Sequence, residues 1–185
     1  MLRKQQGWTL WMTGLPSAGK TTTANALTEK LEELGCAVEC LDGDKLRQHI
    51  GSGLGFTRED RMENVRRAVY VCGLLNRHGV NAVVAMISPY AEMRAYARSQ
   101  LTNFMEVHID CTISECERRD VKGLYAKARR GEIPLFTGVS DVYERPENPE
   151  LALHTDGSEV GDNVRLLLEM LQTRGYAAAP SVFGV

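Results

Sequence analysis

The chain has 185 residues, of which 43% are hydrophobic and 25% charged, the balance of a soluble domain with its own core. Its formal net charge of −2 excludes a general attraction to nucleic acid or an anionic membrane, so an anionic ligand must be held by local arginines and lysines in a pocket. The five cysteines, Cys36, Cys40, Cys72, Cys111 and Cys116, match neither a disulfide framework nor a zinc site and read as reduced thiols of a cytoplasmic protein.

The basic start and short apolar run of MLRKQQGWTLWMTG lead to no small-residue cleavage site. The longest apolar run, 82–87, is far below the ~18 residues of a membrane span, so the chain reads as soluble and untargeted. Apolar segments then alternate with helical patterns, the signature of a parallel sheet under crossover helices. The first strand is expected over 8–13 and a helix over 20–34, with Ala24, Leu27, Leu31 and Leu34 on one face and Gly35 as its stop. CAVECL reads as a second strand ending at Asp42.

Thr57 opens a long helix with the capping pattern TRED, and Gly79 closes it. VNAVVAMI, 80–87, is apolar enough for a central strand covered on both faces. A helix over 90–101, a strand over 104–110 and a short helix from Thr112 follow. From 120 to 150 the chain is rich in Gly, Pro and charge and reads as a mobile lid over a site. A strand over 151–154 and a helix over 159–174 complete a single domain of 1–175, followed by a tail of 176–185.

Between the first strand and first helix stands GLPSAGKT: Gly14, Leu15, Pro16, Ser17, Ala18, Gly19, Lys20 and Thr21, followed by Thr22. This is the G-x-x-x-x-G-K-[ST] phosphate loop in the strand-then-helix setting that it requires. The glycines let backbone N–H groups curl around a phosphate, Lys20 reaches the outer phosphates, and the Thr21 hydroxyl ligates Mg²⁺. A nucleoside triphosphate with Mg²⁺ is therefore expected. The N-K-x-D stretch of a GTPase does not occur, and the D-x-x-G at 120–123 follows a helix instead of a strand.

LDGDKLR puts two carboxylates, Asp42 and Asp44, at the end of the second strand. In a parallel sheet that end faces the ligand crevice, so both acids are expected beside the phosphate loop, where a divalent ion offsets their repulsion. One can face the metal's water shell, Asp42, while the other, Asp44, takes the proton of an attacking hydroxyl. A solvated turn or a helix cap before KLRQHI is the plain alternative.

The segments GLPSAGKT, LDGDKLR, LGFTREDRMENVRR, ISPY, RDVKGLYAKARRGEI, FTG and YERPENPEL, in this order and approximate spacing, resemble those of the adenylylsulfate kinases (APS kinases) over about residues 7–156. The resemblance implies a phosphate-loop kinase fold with a five-stranded parallel sheet flanked by helices. It implies transfer of the ATP γ-phosphate to the 3′-hydroxyl of adenosine 5′-phosphosulfate, an activity of sulfate assimilation, and a homodimer. The substrate set it implies is Asp44, Arg47, Phe56, Arg61, Asn64, Ile87, Ser88, Lys122, Gly123, Leu124 and Phe136. Of these, Arg47, Arg61 and Asn64 suit a phosphosulfate, which Arg binds in a bidentate fork. By the resemblance Phe56 and Phe136 would sandwich the substrate adenine, at about 1–3 kcal/mol per stacked face; for Phe136, whose neighbours Pro134 and Leu135 differ from the family's commoner wording, an ordinary loop-anchoring role is the plain alternative.

Ser88 matches a serine once assigned in the family as a phosphorylated intermediate; direct transfer needs no such relay, and a substrate contact is preferred for it. The six basic residues Arg118, Arg119, Lys122, Lys127, Arg129 and Arg130 read partly as a solvated face and partly as lid charge for a transferring phosphoryl group. The loop's PSA replaces a commoner SGS, with outward-facing side chains expected, and Ala91 stands where many relatives carry arginine. Two rivals remain: a kinase for another small alcohol or nucleotide, and an ATP-binding module without catalysis.

Overall fold

The structure, a computed structural model, describes residues 6–176. Five strands form one all-parallel sheet in the order β2-β3-β1-β4-β5: β1 (Thr9–Thr13), β2 (Val38–Asp42), β3 (Asn81–Ala85), β4 (Phe104–Asp110) and β5 (Leu151–His154). Among the described residues no helix is long and apolar enough to cross a membrane.

Alternation along the strands divides the core into two layers. Leu10, Met12, Val83, Val107 and Ile109 face a cluster completed by Leu27 and Leu31 of α1 (Lys20–Glu33) and Leu167 and Leu171 of α7 (Val160–Thr173). Trp11, Ala82, Val84 and Phe104 face the other side, against Val65, Ala68 and Cys72 of α3 (Arg58–Arg77) and Met93 and Ala97 of α4 (Ala91–Gln100). Burial on both faces explains the near-continuous apolar wording of β1 and β3.

Thr57 caps α3 as its pattern predicts, accepting from the Asp60 amide at 3.2 Å. Three features depart from the sequence-based expectations. β3 stops at Ala85, not Ile87, because the chain turns off the sheet into Ser88, which holds a positive φ of 43°. The residues after Asp42 form a helix, α2 (Gly43–His49). The 120–150 segment carries a further helix, α6 (Leu124–Arg129), after α5 (Ile113–Arg119), and its Tyr125 and Phe136 are buried in the core. Of the expected tail, 177–185 lies outside the described residues.

Candidate active site

The connection leaving β1 runs past β3 to β2 whereas the one leaving β3 runs past β1 to β4, and that reversal at the carboxyl ends of β1 and β3 marks the place where open α/β sheets bind ligands. A cleft of about 740 Å³ opens there. One wall is the phosphate loop, whose tight path depends on its first glycine: at Gly14, with φ 156°, a Cβ would lie 2.5 Å from the Ile109 carbonyl oxygen. Gly19, with φ 100°, precedes α1 and turns the loop into the helix N-terminus.

Lys20 is buried and folds back over its own loop, Nζ donating to the carbonyls of Gly14 at 2.9 Å and Leu15 at 2.7 Å. Burial lowers its pKa to about 8, against the opposing pull of Cys116, Asp44 and Asp42. The Thr21 hydroxyl donates to Asp42 Oδ2 at 2.7 Å. Asp42 also caps α2, its other oxygen accepting from the amides of Asp44 and Lys45 at 2.9 and 3.2 Å. The helix cap that the sequence offers as the plain alternative is present on one oxygen of Asp42, while the other faces Thr21 of the phosphate loop.

Thr21 and Asp42 offer hard oxygen donors only, the set that suits Mg²⁺. Among the described residues no group of three or more His, Cys, Asp or Glu is arranged to hold a metal, so such an ion would complete its shell from phosphate oxygens and water, the usual habit of Mg²⁺.

Asp44 projects from the first turn of α2, its side chain 68% exposed, and pairs with the Lys122 ammonium across the mouth of the cleft. That contact raises the Lys122 pKa. On the far wall Arg61 is buried and donates to the carbonyls of Phe56 at 2.9 Å and Leu135 at 2.6 Å. Burial pushes the pKa of Arg61 down, opposed by Asp141. Arg47 lies 4.7 Å over the exposed Phe56 ring, and Asn64 Oδ1 is buried without a hydrogen-bond partner. Ser88, at the carboxyl end of β3, has its Oγ fixed by the Trp11 indole N–H at 3.0 Å and its carbonyl by Arg94 at 2.7 Å.

Most of the sequence-predicted residues line this one cleft: Pro16, Ser17, Gly19, Lys20, Thr21, Thr22, Asp42, Asp44, Arg47, Phe56, Arg61, Asn64, Ile87, Ser88, Lys122, Leu124 and Phe136. Gly14 and Leu15 contribute their carbonyls behind it, and Gly123 stands at the start of α6 in a left-handed conformation. Ala18 corrects an expectation: its side chain is fully buried in the core instead of facing outward. Phe136 is a core residue as well as a wall of the cleft, edge-on to Tyr125 at 4.9 Å.

The basic cluster is less available than its sequence implies, because acids just outside it take up most of its charge. Arg118 pairs with Glu115, Arg129 with Glu117 and Arg130 with Glu132. Arg119 and Lys122 alone of the six line the cleft. Sequence reasoning missed the wall formed by Thr155, Ser158, Val160 and Asn163. Their signal was positional, a polar turn directly after a strand whose carboxyl end faces the crevice. Thr155 braces the phosphate loop, its hydroxyl donating to the Ala18 carbonyl at 2.8 Å.

Comparison with known proteins bears directly on this cleft. The family model described as adenylylsulphate kinase matches residues 6–154. The adenylyl-sulfate kinase of Gloeothece citriformis is 49% identical over 94% of this chain and 98% of its own. That of Deinococcus deserti is 53% identical over 89% of this chain and 91% of its own. Among solved structures, the APS kinase of Mycobacterium tuberculosis in complex with AMPPNP and APS superposes with a TM-score of 0.87 at 42% identity, covering 90% of this chain and 98% of that one.

Proposed function

The chain belongs to the adenylylsulphate kinase family, and from that premise we propose that its cleft transfers the γ-phosphate of ATP to the 3′-hydroxyl of adenosine 5′-phosphosulfate, giving 3′-phosphoadenosine 5′-phosphosulfate and ADP. The observation that carries the reading is the convergence, in one cavity, of a phosphate loop on one wall and the Arg47, Phe56, Arg61 and Asn64 group on the other. A triphosphate needs the first and an anionic adenosine needs the second.

In this scheme the phosphate loop and the start of α1 hold the triphosphate by backbone N–H groups, and Lys20 carries the charge that develops on the transferred phosphoryl. Thr21 and Asp42 would hold Mg²⁺, which would supply neutralisation of the phosphate oxygens. Arg47 and Arg61 grip the phosphosulfate, while Phe56 and Phe136 flank its adenine. Asp44 is the general base: its carboxylate accepts the 3′-hydroxyl proton as that oxygen attacks phosphorus and the bond to the ADP oxygen breaks. Lys122 leaves Asp44 for the acceptor's anionic group, which frees the base only when an acceptor is present. The exposed turn at Val121 and Lys122, at the mouth of the cleft, closes over it and excludes water, while Tyr125 and Phe136 anchor the rest of the segment in the core.

The homodimer rests on family resemblance and is read by sedimentation velocity, a monomer at working concentration removing it. The test of function is a coupled ADP-release assay across adenylylsulfate, AMP, shikimate and gluconate. Turnover dependent on adenylylsulfate supports the reading, and preference for any other acceptor overturns it. ATP binding without acceptor-dependent ADP release would favour a regulatory module instead.

A further inference from the structure

Behind the acceptor wall lies a buried polar pair, Asp141 and Tyr90, that lines no part of the cleft but reaches Arg61, which does. The Tyr90 hydroxyl donates its one proton to the Asp141 carboxylate, lying 2.9 Å from Oδ1 and 2.7 Å from Oδ2. Its Oδ2 lies 3.8 Å from Arg61 Nη2, with the two side chains only 11% and 8% exposed. Tyr90 immediately precedes α4, two residues beyond Ser88, and its ring stacks under the Arg58 guanidinium at 4.4 Å. Three segments of the site thus meet at one carboxylate: α3 through Arg61, the Ser88 turn through Tyr90, and the Phe136 turn through Asp141 itself.

The Phe136 turn is closed on this same residue. The amides of Val139, Ser140 and Asp141 all donate to the Phe136 carbonyl at 3.0 Å, and the Gly138 amide donates back to the Asp141 carbonyl at 2.8 Å. The Phe136 amide donates to Ser140 Oγ at 3.0 Å. Asp141 therefore ties the aromatic that flanks the cleft to the arginine on the same wall.

Arg61 donates Nε to the Phe56 carbonyl and Nη2 to the Leu135 carbonyl, and Asp141 stands 3.8 Å from Nη2 as an ion-pair partner beyond hydrogen-bond distance, while Nη1 has no hydrogen-bond partner among the described residues. A guanidinium is planar, so fixing two of its nitrogens fixes the direction in which the third presents its donors. The acid also offsets the burial that disfavours the arginine's charge.

We propose that Asp141 is a positioning residue for the acceptor subsite: through Arg61 it aims a free N–H edge at the anionic tail of the acceptor, and through the Phe136 turn it sets the distance from that tail to the base-stacking ring. Tyr90 holds the carboxylate at the correct angle. The inference rests on the proposed acceptor reading, and it assigns recognition of both ends of the acceptor to one carboxylate that never touches it.

The experiment measures steady-state ADP release by the full chain with adenylylsulfate and ATP varied separately, alongside calorimetric binding of adenosine 5′-phosphosulfate. Wild-type turnover with adenylylsulfate tests the functional reading; comparison of variant with wild type tests the inference. Asp141→Asn, nearly isosteric, is expected to raise KM for adenylylsulfate by about tenfold or more, the usual scale for a disrupted charge-assisted contact. The KM for ATP should stay within twofold and kcat within about threefold. Tyr90→Phe should move the same KM in the same direction by a smaller factor, and it is the variant read if Asp141→Asn folds poorly.

In an Arg61→Lys background the further effect of Asp141→Asn should shrink below twofold, since both act through one guanidinium. A merely structural role would move both KM values together, or lower the melting temperature with neither KM altered, and either pattern overturns the inference. So does full additivity of the two substitutions.

Discussion

Replacing Arg94 by methionine should destabilise the protein by about 4 kcal/mol, and the sum follows from its contacts. Arg94 is 3% exposed and Glu106 8% exposed, with Nε 2.7 Å from Oε1. Removing one partner of a buried ion pair costs about 3–5 kcal/mol, because the other charge is left without compensation. Arg98 Nη2 stays 3.4 Å from Glu106 Oε2 and softens that loss. The variant also strips the donors from the carbonyls of Ser88 and Glu144. Glu144 is exposed and can be rehydrated, but Ser88 is buried, and an orphaned buried acceptor costs about 1–3 kcal/mol. For a chain of this size the melting temperature should fall by about 10 °C. Urea unfolding followed by the fluorescence of the buried Trp8 and Trp11 gives the free energy. Arg94→Met/Glu106→Leu should recover most of the loss, because no charge is then left unpaired. A single-variant loss below about 1 kcal/mol, or a double variant no more stable than the single one, would refute the reasoning.

Two further outcomes bear on chemistry. Asp44→Asn should keep nucleotide affinity while kcat falls by ~10² or more, the scale of a removed general base; near-normal turnover with adenylylsulfate would take the base assignment away from Asp44. The Lys20 ammonium, with its pKa lowered to about 8, is charged below that pH and neutral above it in the free site. Phosphate oxygens favour the charged form, so nucleotide binding should take up a proton above pH 8 and its Kd should rise by up to tenfold per pH unit. Calorimetry in two buffers of different ionisation enthalpy measures that uptake, and a Kd flat from pH 7 to 9 contradicts it.

Much of the fold was legible because apolar periodicity and turn residues agreed with each other. Thr57 and Asp60 announce α3 by their spacing, and Gly35 marks the end of α1 where the structure has it. The phosphate loop was readable because only glycine fits at position 14, where a Cβ would come within 2.5 Å of the Ile109 carbonyl oxygen on β4. What remained hidden depends on distance in sequence. Nothing near Arg129 in the motif reveals that Glu117, twelve residues back, takes its charge. Asp141 reads as one more loop acid until the chain brings it under Arg61, eighty residues back. Ala18 misled because a loop residue is expected to face solvent, whereas this loop is pressed against Thr155 and the core.

The central claim is that one cavity brings a triphosphate and the 3′-hydroxyl of an anionic adenosine together. Incubation with γ-³²P-labelled ATP and adenylylsulfate, with the product positions resolved chromatographically, tests it most directly. Label is expected on the 3′-oxygen of 3′-phosphoadenosine 5′-phosphosulfate, formed one for one with ADP. Label released as inorganic phosphate at the same rate with or without adenylylsulfate would contradict it.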